Sequence, residues 1–257
     1  MKVLDEHTKF AHLGKPGTYF TKGFQRRLDK ITLLVDLNNK KILDMGCGEG
    51  VWTYEFAKFT APENVFASDY DPEQIERLKA ESQKLKASIP QENFVACPGE
   101  ALAFEDNTFD IVFHNEVLEH VQDDQKTIDE CLRVLKPGGL MIFFTPNTLW
   151  PFEQHGMFFR GKYYWGNIPL LPYMPNFIYK KFAPHVRNYS ASNLRSKIQG
   201  SRFNNEIVHF TQVFSGFDGL ARKFGVIGRG IQKLIHFLEK TPLHIFGISH
   251  FIIVQKA

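Results

Sequence analysis

A short apolar run that ends in closely spaced glycines limits the folds open to this chain more than any other feature. The stretch KKILDMGCGEG, residues 40–50, predicts a strand and a glycine turn, and the following VWTYEFAKF has helical spacing. Glycines at such a turn let backbone amides approach a ligand closely, and the helix N-terminus adds positive potential. The pattern predicts a ligand site at the carboxyl end of the first strand of an α/β sheet.

The next hundred residues alternate between strand-like and helix-like segments. Predicted strands are NVFASDYD, ENFVACPGE, TFDIVFHN and LMIFFTPN, and predicted helices are PEQIERLKAESQKL and DDQKTIDECLRVLKPGG. Such alternation predicts a parallel sheet with helices on both faces. Asp69 ends the second strand, where an acidic residue grips a ribose diol in nucleotide-binding sheets. The spacing G-x-G-x-x-G of dinucleotide sites is not met, because Val51 follows Gly50.

These segments resemble the class I S-adenosylmethionine-dependent methyltransferases. The residues that carry the resemblance are LDMGCGEG, SDYDPEQI, GEALAFEDNTFDIV, NEVLEHV, RVLKPGGLMIFFTPN and HFIIVQKA. The resemblance implies a Rossmann-like fold: a seven-stranded, mostly parallel sheet with helices on both faces and an aromatic-rich cap insertion. It also implies that the chain is an enzyme that uses S-adenosyl-L-methionine as its cofactor. The cofactor-binding residues that it implies are Asp44, Gly46, Cys47, Gly48, Asp69, Tyr70, Glu100, Ala101 and Asn115.

The stretch HNEVLEHVQDD carries two carboxylates and an imidazole at helical spacing. On a helix, Glu116, Glu119 and His120 would share one face. They would then form half of a metal site, a catalytic group, or the solvated start of a helix. In the superfamily that the chain resembles, a similar ExxEH string with a later histidine binds a divalent cation in ubiquinone-pathway O-methyltransferases and small-RNA 2′-O-methyltransferases. The resemblance makes His185 the fourth ligand, with Mg²⁺ or Zn²⁺ as the ion.

Without a metal, a side chain must take the proton of the acceptor, since the methyl group of the cofactor is already activated. The motif PFEQHG places Glu153 and His155 just after the fifth strand, where the substrate should lie. His155, His120 and Glu153 are therefore the candidate catalytic residues. For Glu153 and His155, the alternative is a loop pair that stabilises the cap.

The domain boundaries are predicted at the points where the alternation of strands and helices stops. We predict an N-terminal helical lid over residues 1–40 and a cofactor-binding core over 41–146. Residues 147–190, rich in proline and aromatic residues, form a predicted substrate cap. Residues 191–257 complete the core and carry a basic amphipathic helical insertion at 214–239.

Charge is distributed unevenly along the chain. Residues 1–150 hold 17 Lys and Arg against 24 Asp and Glu, a net −7, whereas residues 151–257 hold 14 against 4, a net +10. The basic part, with its aromatic cap and amphipathic segment, suits peripheral contact with an anionic membrane, with an anionic substrate or with nucleic acid. It also suits a small-molecule or lipid acceptor with an apolar tail. The alternative is a solvated lysine-rich surface.

The predicted function is O-methylation of a hydroxyl on a lipophilic acceptor, such as a polyprenylated ring or a glycolipid. Alternatives are the hydroxyl of a sugar, natural product or RNA ribose, and a non-catalytic cofactor-binding protein. The chain shows no RNA-binding module, which argues against nucleic acid. Three dispersed cysteines, no secretory signal pattern and no apolar run of about 20 residues predict a cytoplasmic protein that contacts the membrane at most peripherally.

Overall fold

The computed structural model describes residues 22–85, 89–214 and 216–257. Of the predicted N-terminal lid, residues 1–21 lie outside this range, and the described residues 22–40 begin with helix α1 (Lys22–Leu34). The chain divides into two compact units. We call Arg27–Thr145, Ala191–Thr211 and His250–Ala257 the core unit, and Pro146–Ser190 and Gln212–Ser249, with the residues before Arg27, the cap unit.

The central sheet has seven strands in the order β10-β11-β5-β4-β1-β2-β3. Their bounds are β1 Ile42–Met45, β2 Val65–Asp69, β3 Phe94–Ala96, β4 Phe109–Asn115, β5 Leu135–Pro146, β10 Asn205–Val213 and β11 Ser249–Lys256. Strand β1 pairs in parallel with β2 and with β4, so that Ile42 aligns with both Val65 and Ile111. The predicted seven-stranded, mostly parallel Rossmann-like fold is confirmed.

The inner strands consist of continuous apolar runs because helices cover both faces of a parallel sheet. All four residues of β1 are buried, and Phe113 of β4 packs against Trp52 and Phe56 at ring-centroid distances of 4.6 and 5.1 Å. Around the sheet lie helices α2 Val51–Phe56, α3 Pro72–Leu85, α4 Asp124–Val134 and α6 Ala191–Gln199. Asp123 caps α4 by accepting a hydrogen bond from the backbone amide of Lys126 at 3.0 Å.

The cap unit is built from short elements around a small core of its own. Two antiparallel pairs join β6 (Phe152–Glu153) to β9 (Ile168–Pro169) and β7 (Met157–Phe159) to β8 (Lys162–Tyr164). Helix α5 (Asn176–Phe182) follows a short 3₁₀ helix at Leu171–Tyr173. The buried residues of this small core are Leu171, Tyr179, Ala183 and Val186.

A long helix, α7 (Asp218–Leu238), occupies most of the predicted amphipathic insertion. It is broken at Gly225, whose φ of 54° and ψ of −122° are not helical, and a 3₁₀ helix at Pro242–Phe246 follows it. Among the described residues, no helix combines the length and apolar character that crossing a membrane requires.

Candidate functional site

The glycine turn after β1 is held against the end of β2 by backbone hydrogen bonds. The amides of Gly46 and Cys47 donate to the carbonyl of Ser68 at 2.7 and 3.0 Å, and the amide of Gly48 donates to Oδ2 of Asp69 at 3.0 Å. Gly46 and Gly48 adopt φ angles of 70° and 49°, which side chains disfavour. A Cβ at Gly46 would also lie 2.5 Å from Cγ2 of Val117. The turn therefore needs glycine at position 46 for its backbone conformation and for space.

Two carboxylates are buried beside this turn. Asp44 accepts a hydrogen bond from Oγ1 of Thr53 at 2.6 Å, and burial, with the nearby charge of Asp69, raises the pKa of Asp44 to about 7. Burial also raises the pKa of Asp69 above its usual value. Buried carboxylates of this kind fit a cationic ligand, which would stabilise their charged forms. S-adenosyl-L-methionine carries a positive sulfonium and an amino group, so the donor set fits the implied cofactor.

Asp69 also has the acceptor capacity that a ribose diol requires. Its Oδ1 accepts from the amide of Asp71 at 3.0 Å and its Oδ2 from Gly48, whereas a carboxylate offers about four acceptor positions. The next residue, Tyr70, presents an exposed ring. Its placement fits the predicted stacking on an adenine. Cys47 is buried, and burial raises the pKa of its thiol well above the usual value, so it does not supply a thiolate nucleophile.

Of the remaining predicted cofactor residues, Glu100 and Ala101 lie on the loop after β3, and Asn115 is the last residue of β4. Glu100 accepts hydrogen bonds at Oε1 from the amides of Gln122 and Asp123, at 2.6 and 3.1 Å. Oε1 of Glu100 therefore connects the loop after β3 to the segment that precedes α4. A contact of Glu100 with adenine would be additional to these hydrogen bonds. Ala101 is exposed, and the side chain of Asn115 accepts a hydrogen bond from Arg27.

The ExxEH stretch is not a helix, contrary to the arrangement proposed from its spacing. Glu116 forms a bend with a φ of 56°, residues 118–120 form a turn, and α4 starts only at Asp124. A helical face shared by Glu116, Glu119 and His120 is therefore wrong. The cause is that β4 continues to Asn115 and the chain must turn sharply before α4. The solvated helix start is also wrong for Glu119, which is buried and accepts a hydrogen bond from Oγ1 of Thr145 at 3.1 Å.

Glu116 and His185, two of the four predicted metal ligands, already contact other protein groups. Oε1 of Glu116 already accepts from Arg27 at 2.7 Å, and the guanidinium competes with a metal for that carboxylate. Burial, with the charge of Glu116, raises the pKa of Glu119 well above its usual value, which disfavours the ionised form that a metal binds. Nε2 of His120 lies 4.0 Å from Oε1 of Glu119. His185 belongs to the cap unit, where its Nε2 contacts the carbonyl of His155 at 3.1 Å.

In the cap unit, Glu153 and His155 form a hydrogen-bonded pair. Oε1 of Glu153 contacts Nδ1 of His155 at 2.9 Å and accepts from the backbone amide of His155 at 2.8 Å. The other oxygen, Oε2, accepts from the hydroxyl of Tyr179 at 2.6 Å and from Nδ2 of Asn188 at 2.9 Å. The hydroxyl of Tyr163 donates to the carbonyl of His155. Four further side chains therefore contact the pair: Tyr179 and Asn188 at Glu153, and Tyr163 and His185 at the carbonyl of His155.

The charge of Glu153 is strongly stabilised although its side chain is only 1% exposed. Burial acts to raise its pKa, but the hydrogen bond and charge of His155, together with Tyr179, lower it to about 2. An ionised carboxylate at Nδ1 orients the imidazole with its proton on Nδ1, so that Nε2 is the atom able to accept a proton. This is the arrangement of a general base and its orienting carboxylate.

Comparison with known proteins agrees with the fold and identifies a methyltransferase domain. Residues 43–143 match the family described as "Methyltransferase domain". The chain carries a class I S-adenosylmethionine-dependent methyltransferase domain. Against a solved S-adenosylmethionine-dependent methyltransferase from Mesorhizobium loti, the TM-score is 0.58 at 15% identity, over 87% of this chain and 94% of the other. At this identity the likeness shows the fold.

Two relatives of the methyltransferase domain are named ubiquinone biosynthesis O-methyltransferase. The protein from Cereibacter sphaeroides is 33% identical over 130 residues, 50% of this chain and 51% of its own length. The protein from Bartonella tribocorum is 33% identical over 164 residues, 62% of each chain. The chain therefore matches only about half to three fifths of the length of these relatives.

Sequence reasoning missed Arg27, Tyr179 and Asn188. Arg27, in α1, contacts Asn115 and Glu116 at the end of β4, and its guanidinium lies over the Phe144 ring at 4.8 Å. The sequence FQRRLDKITLL offers two adjacent arginines with nothing to distinguish them. Tyr179 and Asn188 lie in an aromatic-rich segment with no periodic pattern. No local signal marks any of the three, because each acts through a partner distant in sequence.

Proposed function

We propose that this chain is an S-adenosylmethionine-dependent O-methyltransferase that methylates a hydroxyl of a lipophilic acceptor, such as a polyprenylated ring or a glycolipid, with His155 as the general base. The observation that carries the proposal is the Glu153–His155 pair. Both residues follow the carboxyl end of β5, and ligands of α/β sheets bind beyond the carboxyl ends of the strands.

In the proposed reaction, the protein orients the acceptor and the cofactor and takes part in one proton transfer. When bound, S-adenosyl-L-methionine supplies a methyl group on a positive sulfur. Asp44, Asp69 and the Gly46–Gly48 turn would bind the cofactor, with Asp69 accepting from the ribose hydroxyls. With the cofactor bound, Nε2 of His155 would take the proton of the acceptor hydroxyl whose oxygen receives the methyl group, and S-adenosylhomocysteine would be the leaving product.

Glu153 serves this step as a positioning residue. Its negative charge at Nδ1 stabilises the imidazolium that forms when His155 takes the proton. Tyr179 and Asn188 keep the carboxylate in place through the two bonds to Oε2. The pair therefore keeps Nε2 of His155 oriented to take the proton.

A lipophilic acceptor is supported by the cap and by the names of the relatives. Exposed apolar side chains in the cap include Trp165, Leu170, Met174 and Phe177. They suit an acceptor with an apolar tail. The two relatives named ubiquinone biosynthesis O-methyltransferase are O-methyltransferases by name, and we extend that reaction type to this chain as part of the proposal.

The test is transfer of labelled methyl from S-adenosyl-L-methionine into a lipid extract, with His155→Gln beside wild type. We expect His155→Gln to lower turnover by about 10²- to 10⁴-fold, with cofactor affinity unchanged. The matched control is His209→Gln, in edge strand β10 of the core unit, which should leave turnover within about twofold. Full turnover in His155→Gln would refute the assignment of the base.

The same assay with EDTA tests the metal-assisted alternative. We expect no effect of EDTA, because Arg27 already neutralises Glu116. Activity lost with EDTA and restored by Mg²⁺ or Zn²⁺ would instead assign Glu116, Glu119, His120 and His185 as ligands. Label in the aqueous fraction alone would favour a sugar, natural product or RNA ribose hydroxyl. Cofactor binding that never yields S-adenosylhomocysteine with any acceptor would favour a non-catalytic protein.

A further inference from the structure

Helix α7 in the cap unit presents its apolar side outward and a polar residue inward. Gln232 is 4% exposed, and its Nε2 donates to the carbonyl of Gly216. By contrast, Ile227 is 73% exposed and Leu234 and Phe237 are each 60% exposed. In an ordinary surface helix the apolar stripe faces the core and the polar residues face water. The inverted arrangement needs a partner for the apolar side.

The outward apolar residues form one continuous face. Exposed Ile227, Ile231 and Leu234 follow the spacing i, i+4 and i+7, which places them on one side of the helix, and half-buried Leu238 at i+11 continues that side. The 3₁₀ helix at Pro242–Phe246 adds three more exposed apolar side chains: Leu243, Ile245 and Phe246. We call this set, with Val226 and Phe237, the α7 face. Exposed apolar residues on a protein surface are normally scattered singly, whereas the α7 face is a continuous apolar patch.

Basic side chains flank the α7 face. Arg229 and Lys233 share a second side of the helix at i and i+4, Lys240 lies in the turn that follows the helix, and all three are exposed. Exposed Arg222 and Lys223 precede the break at Gly225. An apolar stripe bordered by lysine and arginine is the pattern of a helix that lies in the plane of a bilayer.

The acidic side chains near α7, Glu239 and Asp218, form contacts within the protein. Glu239 pairs through Oε2 with Arg26 at 2.7 Å and accepts at Oε1 from the amide of Phe214 at 2.7 Å. Asp218 lies 3.4 Å from Nε2 of Gln232. The charge that surrounds the α7 face is therefore positive, which favours an anionic binding partner.

We propose that the α7 face is a docking surface for an anionic lipid bilayer. The apolar residues enter the boundary between headgroups and acyl chains, and Arg229, Lys233 and Lys240 pair with lipid phosphates. The break at Gly225 allows the two parts of α7 to pack together, since a Cβ at Gly228 would lie 2.0 Å from the carbonyl oxygen of Leu220. The docking surface does not depend on methyl transfer, because it uses none of the residues assigned to that reaction.

The test is co-sedimentation of the full chain with vesicles, without cofactor or acceptor. One set contains phosphatidylcholine alone, and the other contains phosphatidylcholine with phosphatidylglycerol. We expect the protein to bind the anionic vesicles and to bind them less as salt is raised. Leu234→Glu should weaken binding about tenfold or more, and Lys233→Gln about fivefold.

The matched control is Leu33→Glu in the core unit, where the leucine is 83% exposed. It adds the same charge at an exposed apolar residue outside the α7 face and should bind as wild type does. Since all three side chains are exposed, each variant should retain the wild-type thermal midpoint. Equal binding to neutral and anionic vesicles, no binding to anionic vesicles, or undiminished binding of Leu234→Glu would overturn the proposal. So would a dimer in sedimentation velocity that Leu234→Glu dissociates, because a second copy of the chain would then cover the α7 face.

Discussion

Replacing Glu153 by glutamine removes a buried charge and nearly preserves the shape of the side chain. The pKa of this carboxyl is about 2 in the folded protein, against 4.5 for the ordinary group. A gap of about 2.5 pKa units corresponds to about 3 kcal/mol of folding free energy at neutral pH. Because the folded pKa is the lower one, this stabilisation is complete above pH 4.5 and is lost as pH falls towards 2. Glu153→Gln should therefore lower the free energy of unfolding by about 3 kcal/mol at pH 7.

The assay is urea unfolding of both proteins at pH 7 and at pH 4. The difference between wild type and Glu153→Gln should be about 1 kcal/mol smaller at pH 4 than at pH 7. Glu76→Gln is the matched control, because the side chain of Glu76 is 71% exposed, and it should change stability by no more than about 0.5 kcal/mol. In the same preparation, Glu153→Gln should lower methyl transfer by about 10²-fold or more through the lost orientation of His155.

Two results would refute this reasoning. A Glu153→Gln variant as stable as wild type at pH 7 would show that the four hydrogen bonds to Glu153 do not stabilise its charge. A variant that is destabilised but fully active would separate the pair from catalysis and leave it as a structural element of the cap unit.

Three further predictions concern the core unit. Because the pKa of Asp44 is about 7, the ionised carboxylate that binds a cation becomes populated between pH 6 and pH 8, and cofactor affinity in calorimetric titrations should rise about tenfold over this range. Asp44→Asn should remove this pH dependence. A wild-type affinity that does not change with pH would contradict the prediction. Gly46→Ala should lower the thermal midpoint and weaken cofactor binding, because the residue has a φ of 70° and its Cβ would overlap Val117. Adding Val117→Ala should restore part of the loss, and no recovery would leave the backbone conformation as the only cause. Arg27→Gln should weaken cofactor binding or turnover about tenfold. Arg27→Lys should recover little of this loss, because a lysine lacks the two guanidinium nitrogens that contact Asn115 and Glu116 separately. Full recovery by lysine would show that only the positive charge matters.

The fold and the cofactor loop were predictable because their signals are local. The strand, glycine turn and helix around Gly46 occupy consecutive residues, and Asp69 follows a buried apolar strand as the pattern requires. The apolar runs of the inner strands and the alternation with helices indicated a parallel sheet, which the structure confirms.

The failure at the ExxEH stretch has a physical cause. Spacing of i, i+3 and i+4 places side chains together only if the backbone is helical. Here the end of β4 and the hydrogen bond from the amide of Glu116 to the carbonyl of Phe144, at 2.9 Å, keep the chain in the sheet until residue 116. The partner of Glu116 is Arg27, which is distant in sequence.

The sequence by itself determined the alternation of strands and helices, the glycine turn and the acidic residues at the strand ends, because each depends on residues close along the chain. It also proposed Glu153 and His155 as candidate catalytic residues, with a loop pair that stabilises the cap as the alternative. Only the tertiary structure decided that they form a pair supported by Tyr179 and Asn188, that Arg27 neutralises Glu116, and that α7 exposes its apolar side. Periodicity gives the position of an apolar stripe on a helix, whereas the direction in which that stripe faces depends on which other residues, such as Gln232, find partners inside.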